Sequence, residues 1–260
     1  MGAALATIIS QAISMIASII YLKRINFEFD FKFSSFRIYK ERFFLLMKLG
    51  IPVSVQNVIV NLSFLVLTTI ANGMGVNESA AVGVVGRFNG FAILPAIAVG
   101  SSVSAMVAQN IGAGLVDRAK KTFRSGLILA YSITIVVFII ARLFPEQILS
   151  LFDDDPGMIA AGMEYMRTFS LDYLVVPVVF CLNGVITGAG HTFISSLSGI
   201  MSSLGFRIPL AVLFGVVLKK GMWGLGLAAP LAGIGASIIV SAYYLSGKWK
   251  TSIVIMKESN

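Results

Sequence analysis

Seven long apolar runs determine what this chain can fold into. They cover about 2–22, 45–71, 80–109, 124–144, 162–188, 193–217 and 224–246. A helix needs roughly 20 mostly apolar residues to cross the hydrocarbon layer of a membrane. A backbone in lipid must also satisfy its own hydrogen bonds, and this sequence lacks the alternating strands of about ten residues that form membrane barrels. We therefore predict an all-α, polytopic transmembrane helix bundle of about seven spans.

Composition argues against a soluble domain and against several kinds of site. Hydrophobic residues make up 57% of the 260 residues and charged residues only 12%, whereas soluble chains have about 45–50% and 25%. The single cysteine, Cys181, excludes a disulfide framework, and the single histidine, His191, weakens any metal-site proposal. An intramembrane enzyme would need clustered reactive groups, which this sequence does not supply. We predict no catalytic residues, no metal site and no enzymatic activity.

The net charge of the chain is +8, and most of its charged residues lie between the apolar runs. Lysine and arginine are concentrated in residues 23–48, in 118–124 after the third run, and in the tail from 248. If all seven runs cross the bilayer, these three segments share one side, which the positive-inside rule assigns to the cytoplasm. We expect a multi-pass protein of the plasma (cytoplasmic or inner) membrane with a cytoplasmic C-terminus. Its surroundings would be membrane lipid and not nucleic acid.

Two opposite charges lie at the same depth in neighbouring runs. Asp172 and Arg207 are each about ten residues from the outer end of the fifth and sixth runs, so both reach about 15 Å at 1.5 Å per residue. A charge at mid-bilayer costs roughly 2.5–3.5 kcal/mol on insertion scales and needs a partner or a water-filled cavity. Two interpretations stay open. The residues form a structural ion pair, or Asp172 exchanges a proton or cation beside Arg207 and the two form an ion-coupling site.

Neutral polar side chains form a second candidate set. Gln56, Asn57 and Asn61 lie in the second run and Asn183 lies in the fifth. Hydrogen bonds between helices explain such residues, and a shared cavity for a cationic substrate is the sharper interpretation. We predict that these four residues bind substrate.

Other residues predict bending and close packing of the helices. Arg87, near the outer end of the third run, and Pro52, Pro95 and Pro209 are predicted to have structural or gating roles, because proline bends a membrane helix. Spaced glycines let helices approach closely. They recur as Gly83/Gly86/Gly90, Gly184/Gly188 and Gly224/Gly226/Gly233/Gly235.

Five short motifs occur in order on the predicted runs. They are Gly2-Ala3-Ala4-Leu5-Ala6-Thr7, Gly50-Ile51-Pro52 with Gln56, Gly86-Arg87-Phe88 followed by Pro95 and Gln109-Asn110-Ile111-Gly112-Ala113-Gly114, Gly184 through Gly188-Ala189-Gly190-His191-Thr192, and Arg207-Ile208-Pro209-Leu210. In this order they resemble the multidrug and toxic compound extrusion (MATE) family. The resemblance implies that the chain corresponds to the sixth to twelfth helices of a twelve-helix transporter. It also implies that the chain, like family members, exports organic cations and drugs in exchange for sodium or protons and uses no other cofactor.

The resemblance also implies a division of the chain. Residues 1–22 would be the last helix of the N-terminal lobe, 23–44 a basic cytoplasmic linker, 45–247 a six-helix C-terminal lobe and 248–260 a cytoplasmic tail. The rest of the N-terminal lobe would be a missing partner. Carboxylates of some sodium-coupled members align with Val60 and Val176 here, and Asp172 lies one turn from Val176, where it would compensate.

The sequence is consistent with three functions. The main prediction is efflux of organic cations or drugs by sodium or proton antiport, with this chain as a partial transporter. One alternative is a lipid-linked oligosaccharide flippase of the same superfamily, in which several cavity arginines would be expected. The other is a non-transporting membrane scaffold fragment.

Overall fold

The computed structural model describes residues 2–24 and 39–251, and this part of the chain is helical with no strand. The prediction of an all-α, polytopic helix bundle is confirmed. The α-helices are α1 Gly2–Arg24, α2 Lys40–Met74, α3 Val76–Ala92, α4 Leu94–Gly112, α5 Val116–Leu143, α6 Pro145–Ser150, α7 Pro156–Phe169, α8 Asp172–Gly188, α9 Thr192–Ile200, α10 Ile208–Ala211 and α11 Gly221–Leu245.

Five of the described helices are long and apolar enough to cross a membrane, and the bent pair α7 and α8 makes a sixth span if it is counted as one. In α1, the stretch Ile8–Leu22 is a shorter apolar helix. The five are Lys40–Met74, Leu94–Gly112, Val116–Leu143, Thr192–Val217 and Gly221–Leu245.

Two predicted spans are broken. The third is divided at Ile93, between α3 and α4, just before Pro95, whose missing N–H cannot continue the helical ladder. The fifth begins at Pro156, earlier than predicted, where the Asp155 carboxylate accepts hydrogen bonds from the first backbone N–H groups. It then bends by 49° between Phe169 and Asp172. Pro177, inside α8, does not mark this break.

The sixth predicted span is one continuous helix, Thr192–Val217, with π-helical segments on both sides of α10. These segments are Met201–Arg207 and Val212–Val217. At the end of the first π-helical segment, the N–H of Ile208 donates to the Ser203 carbonyl, five residues back. The next residue, Pro209, has no N–H to donate. The wider turn therefore occurs at Arg207, and π-helical turns often accompany functional sites.

Glycines set the closest helix crossing, between α4 and α8. A Cβ at Gly184 would lie 2.5 Å from the Gly100 carbonyl oxygen, and a Cβ at Gly188 would meet the Ser104 carbonyl oxygen. The glycine pair thus faces a second small-residue pair, which is the close packing that the spacing predicts. By contrast, Gly83, Gly86 and Gly90 have no such neighbour within 4 Å in the described structure.

The chain divides into two compact units, Met1–Leu46 and Met47–Asn260. The second contains a core in which Leu67, Val85, Met166, Tyr173 and Leu225 are buried together. Of the predicted linker and tail, residues 25–38 and 252–260 lie outside the described residues. The functional division into lobes, linker and tail stays a prediction.

Candidate functional site

A buried polar cavity of about 190 Å³ lies inside the second unit. Side chains from α2, α3, α8, the helix Thr192–Val217 and α11 reach it, so it lies between helices that are distant in sequence. The polar and charged residues that line it are Gln56, Asn89, Asp172, Asn183, Ser198, Ser202, Ser203 and Arg207. The apolar wall includes Val60, Phe64, Val176 and Phe180.

Asp172 is the only carboxylate among the residues that line this cavity. It is the first residue of α8, directly after the bend, and is 9% exposed. A negative charge at a helix N-terminus is favoured by the helix dipole. Gly233 of α11 packs against it, and a Cβ there would lie 3.1 Å from Oδ1. Within the described chain, Asp172 has no hydrogen bond and no ion pair, so its charge is available to a bound cation or proton.

Arg207 also lines the cavity and is held by other residues. Its Nη1 donates to the hydroxyl of Ser63 at 3.3 Å, and its guanidinium carbon is 4.6 Å from the centroid of the Phe64 ring, in reach of a cation–π attraction. Its buried Nε has no partner among the described residues. The structural ion pair with Asp172 is therefore not formed in this structure. No nitrogen of Arg207 lies within 4.0 Å of that carboxylate, although both residues line one cavity.

The four predicted substrate residues separate into two pairs. Gln56 and Asn183 line the cavity, and Asn183 Oδ1 accepts a hydrogen bond of 2.8 Å from Ser195. Asn57 and Asn61 are exposed on α2 and do not line it. The Asn61 amide donates to the Asn57 carbonyl at 2.8 Å. The structure thus brings Gln56 and Asn183 together with Asp172 and Arg207, and places the other two residues on a different surface.

Several buried hydroxyls in this cavity were not predicted. Ser198 and Ser203 are buried, and their hydroxyls have no partner among the described residues, like the side-chain oxygen of Asn89. Buried polar groups without a protein partner are commonly hydrogen-bonded to water or an ion. Ser195, Ser198 and Ser202 follow one another at spacings of three and four, the signature of one helix face, so the sequence contained this information.

The volume of the cavity and the oxygen atoms that line it suit a small ion. A water molecule takes about 30 Å³ of liquid volume, so the cavity holds roughly six waters. Sites for drug-sized ligands are larger, about 300–1,000 Å³. No group of three or more His, Cys, Asp or Glu side chains that suits a metal ion occurs in the described residues. With one carboxylate, hydroxyls and amides, the cavity has the oxygen ligands of a monovalent cation or a proton site.

The predicted gating residues lie outside this polar lining. Arg87 is exposed on α3, and Pro52 lies inside α2. Pro95 lies in the first turn of α4, and Pro209 lies between the two π-helical segments. Pro95 and Pro209 both adjoin irregular backbone close to the cavity residues Ile93 and Arg207. Their gating role stays a prediction.

His191 connects two segments of the chain through its two ring nitrogens. Its Nδ1 is 2.8 Å from the hydroxyl of Tyr243, and its Nε2 is 2.9 Å from the carbonyl oxygen of Thr251. Beside it, Trp249 is 1% exposed and stacks on Tyr244 with ring centroids 5.1 Å apart. The segment after α11 is thus fixed to the loop before α9, a contact that no sequence pattern indicated.

Comparisons with known proteins agree with this architecture. The MatE family model matches residues 52–213. The chain is 28% identical over 247 residues to the "Probable multidrug resistance protein YoeA" of Bacillus subtilis, covering 94% of this chain and 53% of that protein. It is 30% identical over 250 residues to the "Probable multidrug resistance protein YpnP" of the same organism, covering 96% and 55%.

A solved structure has the same fold. The crystal structure of MATE in complex with MaL6 superimposes with a TM-score of 0.86 at 19% identity, covering 95% of this chain and 56% of that chain. This chain therefore spans about half the length of the relatives that it matches.

Proposed function

Because this chain belongs to the MatE family of multidrug and toxic compound extrusion proteins, which are integral membrane transporters, we propose that it supplies one lobe of an efflux antiporter. This lobe works with an N-terminal lobe in the plasma membrane, with its C-terminus in the cytoplasm. Organic cations or drugs leave the cell in exchange for sodium or protons. The names of the relatives, which say multidrug resistance, support drugs as substrates.

The observation that carries the proposal is a single unpaired carboxylate in a buried polar cavity. Asp172 lines a space too small for a drug-sized molecule but large enough for an ion with a few waters. The nearby positive charge of Arg207 is held by Ser63 and Phe64. Asp172 is therefore free to exchange its bound cation or proton as the lobe changes conformation. The broken helix at this residue resembles the discontinuous helices on which transporters build their ion sites.

The organic substrate requires a larger space than this cavity. Asn57 and Asn61 are exposed on α2 and share a helix face at a spacing of four residues. We assign them to a substrate cavity completed by the N-terminal lobe, with Gln56 on the same helix reaching the ion site. Flexing at Pro52, Pro95 and Pro209 would let the helices change their angles during alternating access. Arg87 on α3 is assigned to the same gating movement.

Everted membrane vesicles that contain the chain together with an N-terminal lobe test this proposal. Movement of ethidium is followed by its fluorescence while a sodium or a proton gradient is imposed. Asp172→Asn removes the carboxylate charge at nearly constant volume and is expected to abolish gradient-driven movement. Asp117→Asn, an exposed carboxylate paired with Lys120 at 2.8 Å outside the cavity, is the matched control and keeps it.

Normal gradient-driven transport by Asp172→Asn, at a normal level of membrane protein, contradicts the proposed ion site. Transport that neither gradient drives, in the unchanged protein, contradicts antiport itself.

A further inference from the structure

A groove of about 490 Å³ lies between α4 and α5, and the proposed transport cycle does not use it. Its floor is closed by the approach of α4 to Gly126, where a Cβ would meet the side chains of Val99 and Val103. Its lining from α4 is Ala98, Val99, Ser102, Val103 and Met106, and from α5 it is Arg118, Lys121, Thr122, Ser125, Gly126 and Leu129.

The groove is polar at one end and apolar at the other. Arg118, Lys121, Thr122 and Ser125 follow the spacing i, i+3, i+4 and i+7, so they share one face of α5 near its start. Leu129 lies eleven residues beyond Arg118, which is about 16 Å along the helix at 1.5 Å per residue. Two cations and two hydroxyls therefore stand at the mouth, and the groove continues into the apolar depth of the span.

The charges at the mouth are available to an external anion. Neighbouring Lys120 is paired with Asp117 at 2.8 Å, whereas neither Arg118 nor Lys121 has a hydrogen bond or an ion pair to any described residue. The basic segment 118–124 is the one that the positive-inside rule assigns to the cytoplasmic side. Anionic lipids of the cytoplasmic leaflet carry their phosphates at this level and their acyl chains below it.

We propose that this groove binds a phospholipid with an anionic headgroup from the cytoplasmic leaflet. Its phosphate contacts Arg118 and Lys121 and accepts hydrogen bonds from Thr122 and Ser125. One acyl chain lies along Val103, Met106 and Leu129. A free phosphate would fill only the mouth of a groove of this volume, so the apolar part selects the lipid.

Native mass spectrometry of the purified chain tests the proposal by counting bound lipids. Phosphatidylglycerol and phosphatidylcholine with identical acyl chains are added separately, and the dissociation constant of the first bound lipid is determined. Phosphatidylglycerol is expected to bind more tightly. A nearby Lys or Arg is worth about 1 kcal/mol toward an anionic lipid, so Arg118→Gln and Lys121→Gln each weaken binding about five-fold and together about 30-fold. The matched control is Arg124→Gln, which removes an exposed charge of α5 that does not line the groove.

A second variant tests the apolar part of the groove and leaves Arg118 and Lys121 unchanged. Ser102→Phe places a ring in the groove at an exposed position of α4 and is expected to weaken binding of phosphatidylglycerol as strongly as the double charge variant. Inorganic phosphate is added as a competitor and is expected not to displace the lipid.

Three outcomes overturn the proposal. They are equal affinity for the two lipids, unchanged affinity for phosphatidylglycerol in Ser102→Phe or in the double charge variant, and complete displacement of the lipid by inorganic phosphate.

Discussion

Replacing Gly184 by alanine should destabilise the lobe, because this glycine allows close contact between the backbones of α4 and α8. The added Cβ would lie 2.5 Å from the Gly100 carbonyl oxygen and 3.4 Å from the Ser104 backbone nitrogen. Carbon–oxygen contacts between helices are normally about 3.3–3.6 Å. Both opposing atoms belong to the backbone of α4 and cannot rotate away, so the helices must separate by close to 1 Å. Overpacking of this kind costs about 1–3 kcal/mol.

The expected result is a lower thermal unfolding midpoint of the purified chain in detergent. For a chain of this size, 1 kcal/mol corresponds to about 2–4 °C, so the midpoint of Gly184→Ala should fall by roughly 2–12 °C. Gly86→Ala is the matched control, since its added Cβ would meet no atom within 4 Å beyond its chain neighbours and its own helix backbone. Alanine favours a helix over glycine by about 1 kcal/mol, so this control should be unchanged or more stable. Equal stability of Gly184→Ala and Gly86→Ala would refute the packing argument.

Two further changes test local contacts through the same unfolding measurement. Trp249→Ala removes a buried ring that stacks on Tyr244 and donates to its carbonyl at 3.0 Å, so it should cost about 3–5 kcal/mol. An equal loss in the more exposed Trp223→Ala would contradict this. Asp155→Ala removes the cap that accepts from the N–H groups of Gly157 and Met158 at 2.6 and 2.9 Å, and should cost about 1 kcal/mol. Asp154→Ala serves as its control, and a cap variant as stable as that control would count against the capping role.

The sequence predicted the fold class and much of the cavity, because both depend on local features. Apolar run length determines which segments can span a membrane, and the positions of Asp172 and Arg207 along their runs placed them in one cavity. The spacing of Gly184 and Gly188 predicted close packing, which the structure confirms.

Features that depend on tertiary contacts were not predictable in this way. Periodicity does not show which polar atom a side chain will meet, so the partners of Arg207, which are Ser63 and Phe64, were missed. A helix can also break without proline or glycine, as it does between Phe169 and Asp172. The contact from His191 to Thr251 joins residues 60 positions apart and has no local signature.

The most direct test of the central claim is to drive the exchange in reverse. Proteoliposomes that contain the chain together with an N-terminal lobe are loaded with ethidium, with equal sodium and pH on both sides. The movement of sodium or protons is recorded as ethidium leaves. We expect the ion to move in the opposite direction to ethidium, and Asp172→Asn to lose this ion movement while Asp117→Asn retains it. Ethidium efflux without ion movement, or ion movement that persists in Asp172→Asn, would contradict the account.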